Sequence, residues 1–76
     1  MSPEHLLAKQ NRAAFTVAEF CEAHRLSRSY LYKIWAAGTG PRIMRVGSKV
    51  LISIEAAEDW RRAREAAAAA AGEAKI

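Results

Sequence analysis

The side chains of this chain that could do chemistry are mostly cations. Between Ala23 and Ile54 there is no Asp or Glu, yet the same stretch holds Arg25, Arg28, Lys33, Arg42, Arg45 and Lys49. The acids stand outside it, with Glu19 and Glu22 before and Glu55, Glu58 and Asp59 after. A solvated surface usually mixes signs to limit self-repulsion, so an acid-free middle is what a face for a polyanion needs. Chance clustering in a chain of net charge +4 is the plainer alternative. Other chemistry is poorly supplied. Cys21 and His24 stand three apart and offer two metal ligands, but a structural zinc site needs four, and the other histidine, His5, stands alone near the start. His24 has no acid in the basic stretch to act with as a base. No glycine-rich phosphate loop sits at a strand–helix junction. The expectation is a protein that is not an enzyme, with no catalytic residue, no metal and no cofactor. Cys21, the single cysteine, cannot form an internal disulfide and reads as a small core residue.

The length bounds what can position these residues. Seventy-six residues make one domain, and a chain of that size buries only about 60% of the surface it exposes when unfolded. A deep enclosed cleft is not expected. The hydrophobic share of 51% and charged share of 26% suit a folded domain rather than a disordered tail. Much of the apolar share is alanine, and the bulky residues lie between Phe15 and Trp60, so the core is expected there. No apolar run approaches the ~18–20 residues that span a bilayer. The start, Met-Ser-Pro-Glu-His, lacks a basic segment followed by an apolar one. The expectation is a cytoplasmic protein without membrane attachment.

Residues 1–14 show no periodicity and read as a flexible amino-terminal arm with a nascent turn at Leu6 and Leu7. Thr16 and Glu19 then form a T-x-x-E capping box, and Phe15 and Phe20 have the spacing of a hydrophobic staple. Val17, Phe20 and Cys21 give one apolar helix face, and the helix is expected to stop near His24. Leu26 sits in a tight turn. Ser27 caps a second helix over residues 28–37, whose inner face is Leu31, Ile34 and Trp35, and Gly38 supplies its left-handed end. Two short helices around such a turn make a helix-turn-helix pattern.

After Thr39-Gly40-Pro41, residues 42–46 and 50–53 flank Gly47-Ser48-Lys49 and read as a β-hairpin with a three-residue loop. Ser53 caps a third helix, with Glu55, Glu58 and Asp59 early and Ile54, Ala57 and Trp60 on one face. Arg61, Arg62 and Arg64 read as a solvated run, and the alanines from Ala66 extend the helix to about Ala71, before Gly72.

These residues, in this order, carry a resemblance. Phe15-Thr16-Val17-Ala18-Glu19-Phe20, Leu26-Ser27-Arg28-Ser29-Tyr30-Leu31-Tyr32-Lys33-Ile34, Gly38, Arg45-Val46-Gly47-Ser48-Lys49-Val50-Leu51-Ile52-Ser53 and Trp60 resemble the MerR-like winged helix-turn-helix group of phage and plasmid excisionases and AlpA-type regulators. The resemblance covers residues 15–64. It implies a mainly α fold with a small β-hairpin, a winged helix-turn-helix DNA-binding domain, followed by an alanine-rich carboxy-terminal extension and tail over residues 65–76. The run Thr39-Gly40-Pro41-Arg42 is longer than the family's usual approach to the wing, and the alanine-rich end matches nothing in the shared motif.

In that family the second helix enters the major groove of double-stranded DNA and the wing meets the neighbouring minor groove or backbone. Carried over here, Ser27, Arg28, Ser29, Tyr32 and Lys33 are recognition-helix residues, and Arg42, Arg45, Ser48 and Lys49 are wing residues. Arg28 and Ser29 stand at the end that points at base edges in this docking mode. Tyr32 is assigned to the DNA side and Tyr30 to partial packing, because positions two apart lie on different sides of a helix. Lys33, Arg42, Arg45 and Lys49 are better placed as phosphate clamps, which fix register without reading sequence. About five such contacts give a slope of log K against log salt of roughly −4 to −5.

The function this implies is that of an excisionase, or recombination directionality factor, of a bacterial or phage mobile element. It bends DNA beside an attachment site and steers an integrase, a tyrosine or serine recombinase, toward excision. Cooperative self-association on DNA is expected, since one small domain covers few base pairs. A small transcriptional regulator of the same fold, and a protein-interaction module, are the alternatives.

Overall fold

Two segments of the chain pass straight from a strand into a helix, and each does so at a capping hydroxyl. In the computed structural model, which describes residues 13–72, strand β1 (Ala14–Thr16) ends on Thr16 and leads into helix α1 (Val17–His24). Thr16 keeps an extended backbone (φ −73°, ψ 169°), which is what a helix N-cap requires. The capping box forms in full: the Glu19 amide donates to Thr16 Oγ1 at 3.1 Å, and the Thr16 amide donates to Glu19 Oε1 at 2.9 Å. Ser53 does the same between strand β3 (Lys49–Ser53) and helix α3 (Ile54–Ala70), accepting the Ala56 amide at 3.0 Å.

Between these lie helix α2 (Arg28–Ala36), capped by Ser27, and strand β2 (Met44–Val46). Residues 25–27 join α1 to α2, and a hairpin follows, an arrangement consistent with a helix-turn-helix plus a hairpin. The first of those turn residues is unusual. Arg25 takes a left-handed backbone (φ 56°), the one non-glycine among the described residues to do so. Its amide reaches the Glu22 carbonyl and the Leu26 amide reaches the Cys21 carbonyl, which closes α1 in a Schellman motif. Gly38 (φ 79°) closes α2 with the same pair of bonds, from Gly38 to Trp35 and from Thr39 to Ile34.

The described residues form three helices and a three-stranded antiparallel sheet of order β1-β3-β2. The sequence shows the β2–β3 hairpin but not β1. Phe15 pairs with Ile52 and Thr16 with Leu51, and the Ile54 amide extends the ladder to the Ala13 carbonyl. Ala13 and Ala14, read from sequence as the end of an arm, therefore belong to the sheet edge. Such a short strand has too few residues to show alternation, and only its long-range partner β3 fixes it. The hairpin also differs in its turn. Val46 pairs with Lys49, so the loop is Gly47-Ser48 alone, with the positive φ (62°) at Gly47 that a type II′ turn places first. Arg42 and Ile43 precede the strand rather than belong to it. The arm to residue 12 and the tail after Gly72 lie outside the described residues.

Phe20 from α1, Leu31 from α2 and Ile52 from β3 are fully buried, with Cys21, Ala56 and Ala57 beside them. Phe15, Val17, Leu26, Ile34, Trp35 and Trp60 pack around this centre. The staple pair Phe15 and Phe20 meets edge to face at 5.9 Å. His24 stacks on Phe20 at 4.0 Å, and Trp60 meets it edge-on at 5.4 Å. Both indoles also tie down the loop from α2 to β2: Trp35 Nε1 donates to the Pro41 carbonyl at 2.8 Å and Trp60 Nε1 to the Thr39 carbonyl at 2.9 Å. A side chain on Gly40 would collide with Trp35 Cδ1. None of the described helices is long and apolar enough to cross a membrane.

Candidate nucleic-acid interface

Helix α2 sorts its residues cleanly. At 3.6 residues per turn, Leu31, Ile34 and Trp35 form the inner stripe, Ser29 and Lys33 fall on the opposite side, and Arg28 and Tyr32 lie on the flank next to Trp35. Arg28, Ser29, Tyr32 and Lys33 are exposed, and so is Ser27. Ser27 Oγ accepts the Tyr30 amide at 3.0 Å, so its first task is to hold the helix start. Tyr30 and Tyr32 are exposed alike, at 49% and 55%, which does not match the expected packing of Tyr30. Their flanks differ, however. Tyr32 lies on the Trp35 side, with ring centroids 5.6 Å apart, and this side faces the hairpin. Tyr30 stands on the other flank. The first turn of α2 contains no acid, whereas Glu19 occupies that of α1 and Glu55 that of α3. The positive end of the α2 dipole thus has no acid of its own first turn against it.

The hairpin cations point in three directions. Arg45 pairs across the ladder with Val50, and paired residues share a sheet face. Both line an open groove of about 290 Å³ with Val17, Tyr32, Trp35 and Ile43. Arg45 therefore belongs to the α2 side. Lys49 pairs with Val46, one step along, and so rises from the opposite face of the hairpin with Met44 and Leu51. Ser48 sits at the exposed tip. Arg42 leaves the hairpin altogether: its Nη1 lies 3.0 Å from Asp59 Oδ2 on α3. Those side chains are 65% and 51% exposed, so the pair contributes about 0–1 kcal/mol and can yield to a competing phosphate. Arg28, Lys33, Arg45 and Lys49 make no ion pair with any described residue.

The arginines of α3 are largely engaged elsewhere. Arg62 approaches Asp59 at 3.5 Å. Arg61 Nη1 lies 3.0 Å from His24 Nε2, and His24 Nδ1 lies 2.9 Å from the Phe20 carbonyl. A carbonyl only accepts, so Nδ1 carries the hydrogen and Nε2 accepts from Arg61. Both nitrogens of His24 are thereby used, and Cys21 is buried in the core. The pair presents no ligands outward, and the described residues contain no group of three or more His, Cys, Asp or Glu that could hold a metal. A second hollow, of about 430 Å³, opens beside the loop at Gly38–Arg42 and α3, with Arg64 and Asp59 on its wall.

Sequence reasoning did not find the two indole staples, the Arg42–Asp59 pair or the parts Val17 and Ile43 play in the groove. The spacing of the tryptophans shows that they face inward, but not where their N–H groups end. Compared with known proteins, the chain matches no family model, and no curated protein or solved structure proves similar to it.

Proposed function

We propose that this protein binds double-stranded DNA as a winged helix-turn-helix, with α2 in the major groove and the β2–β3 hairpin as the wing, and that it serves as an excisionase. One observation carries the reading. Helix α2 and the hairpin meet along a groove whose borders hold Tyr32 and Arg45, while Arg28 and Lys33, both exposed on α2, pair with no acid among the described residues. An arginine on the first turn of an inserted helix can grip guanine O6 and N7 with two hydrogen bonds. Lys33 and Arg45 reach phosphates. Lys49, on the other face of the hairpin, suits a wing that enters the minor groove tip first, since both of its faces then meet a strand. Arg42 is held back as a partner of Asp59.

The excisionase role rests on the resemblance of residues 15–64, and in it the protein acts by shaping DNA for an integrase rather than by catalysis. Bending costs energy that added contacts offset, which suits several protomers bound side by side. Footprinting on the protein's own genomic neighbourhood tests this. Protection beside an attachment site, in adjoining stretches, is expected. Protection over a promoter alone makes it a transcriptional regulator, and no protection anywhere overturns DNA binding.

A further inference from the structure

The groove between α2 and the hairpin is built in a way that gripping phosphates does not require. Val17, Ile43 and Val50 bring no polar side-chain atom to it. Trp35 has one donor, and that donor is already bonded to the Pro41 carbonyl. Only the Tyr32 hydroxyl and the Arg45 guanidinium remain, and no carboxylate, amide or serine lines the walls. Ile43 keeps 43% of its surface in water although it is apolar, and Tyr32 keeps 55%. An apolar trough with one cation that has no acid partner among the described residues fits a ligand that is apolar along its body and anionic at one end.

We infer that this groove seats the sugar–phosphate backbone of one DNA strand, with phosphate on Arg45 and the apolar edge of deoxyribose against Ile43 and Val50, and that it thereby selects deoxyribose over ribose. The inference rests on the duplex-binding reading above. Charge complementarity sets the occupant: the phosphate meets a cation that makes no ion pair with any described residue. A base edge would need donors and acceptors to be read, and the walls offer almost none. The C2′ carbon of deoxyribose carries only hydrogens. A ribose hydroxyl placed against Ile43 and Val50 leaves water for side chains that give it no partner, and an unmet polar group bears its full desolvation penalty. The 2′-hydroxyl is also the group by which proteins tell RNA from DNA at a given site.

The test starts from a duplex selected from a random-sequence DNA pool. A pool that yields no bound duplex overturns the DNA-binding reading itself, a result distinct from those that follow. In the selected duplex each deoxynucleotide is replaced in turn by its ribonucleotide, and separately by the 2′-fluoro analogue, which shares the ribose pucker but has no hydroxyl. At one or two positions the ribonucleotide is expected to weaken binding by about fivefold or more, while the fluoro analogue changes it by less than about twofold. Val50→Thr, which sets a hydroxyl into the wall at nearly constant shape, is expected to shrink that ribose penalty. Ile43→Ser, at an exposed position outside any strand, makes the same test if Val50→Thr fails to fold. Equal penalties from both analogues, a penalty spread evenly along the duplex, or one that both wall variants leave unchanged overturns the inference. So does a loss that follows thymidine-to-deoxyuridine replacement instead, because the groove then holds a thymine methyl.

Discussion

Arg28 and Lys49 carry the same charge from different settings, and that difference predicts different losses. Arg28 is fixed on the first turn of α2 beside Ser29, and its planar fork can bond two atoms of one base. Lys49 is a compact charge on a flexible stem at the start of β3. Arg28→Ala is expected to relax preference at one base position, with a loss of about 1–3 kcal/mol on the best sequence only. Lys49→Ala is expected to weaken all duplexes alike and to lower the steepness of the salt dependence by about 0.9. Binding to a panel of single-base variants separates the two, and uniform losses in both mutants contradict the assignment. Arg25 makes a different point. A left-handed residue with a Cβ costs about 1–2 kcal/mol, partly offset by the extra freedom glycine has when unfolded. Arg25→Gly is therefore expected to raise stability by about 0.5–1 kcal/mol, read by urea denaturation. A loss of stability would show that the Arg25 side chain supports the turn in some other way.

The elements show what a sequence can and cannot reveal. Caps are local, so Thr16, Glu19, Ser27, Ser53, Gly38 and Gly72 marked the helix ends well, and α3 runs to Ala70 much as its alanines suggested. The turn from α1 to α2 was visible as a gap, but nothing at Arg25 marked a left-handed residue. Strand β1 was hidden because its reason for being extended lies far along the chain, at Leu51 to Ser53. The candidate site divides the same way. The outward placing of Ser29 and Lys33 on α2 follows from helix period alone. The split of Arg42, Arg45 and Lys49 among three directions depends on register and on Asp59, neither of which spacing encodes. Two indoles hold the loop from α2 to β2. Gly40 is what lets Trp35 lie against it. Gly40→Ala is expected to destabilise the fold by about 1–3 kcal/mol through overpacking against a half-buried ring. Thermal unfolding followed by tryptophan fluorescence measures this, and an unchanged midpoint would show that the loop yields freely.

Across the described residues, the acids lie on α1 and α3, while α2 and the β2–β3 hairpin carry only cations. Glu19 and Glu55 stand in the first turns of α1 and α3, and Asp59 pairs with Arg42 and Arg62. Four cations of α2 and the hairpin, Arg28, Lys33, Arg45 and Lys49, pair with no acid among the described residues and are the ones proposed to meet phosphates. The measurement that tests this most directly is the salt dependence of binding to a long DNA duplex. Four contacts predict a slope of log K against log salt of about −3 to −4, shallower than five would give. Asp59→Asn, which releases Arg42, is expected to steepen it by about 0.9. Binding that ignores salt, or no binding to duplex DNA at low ionic strength, would contradict the account.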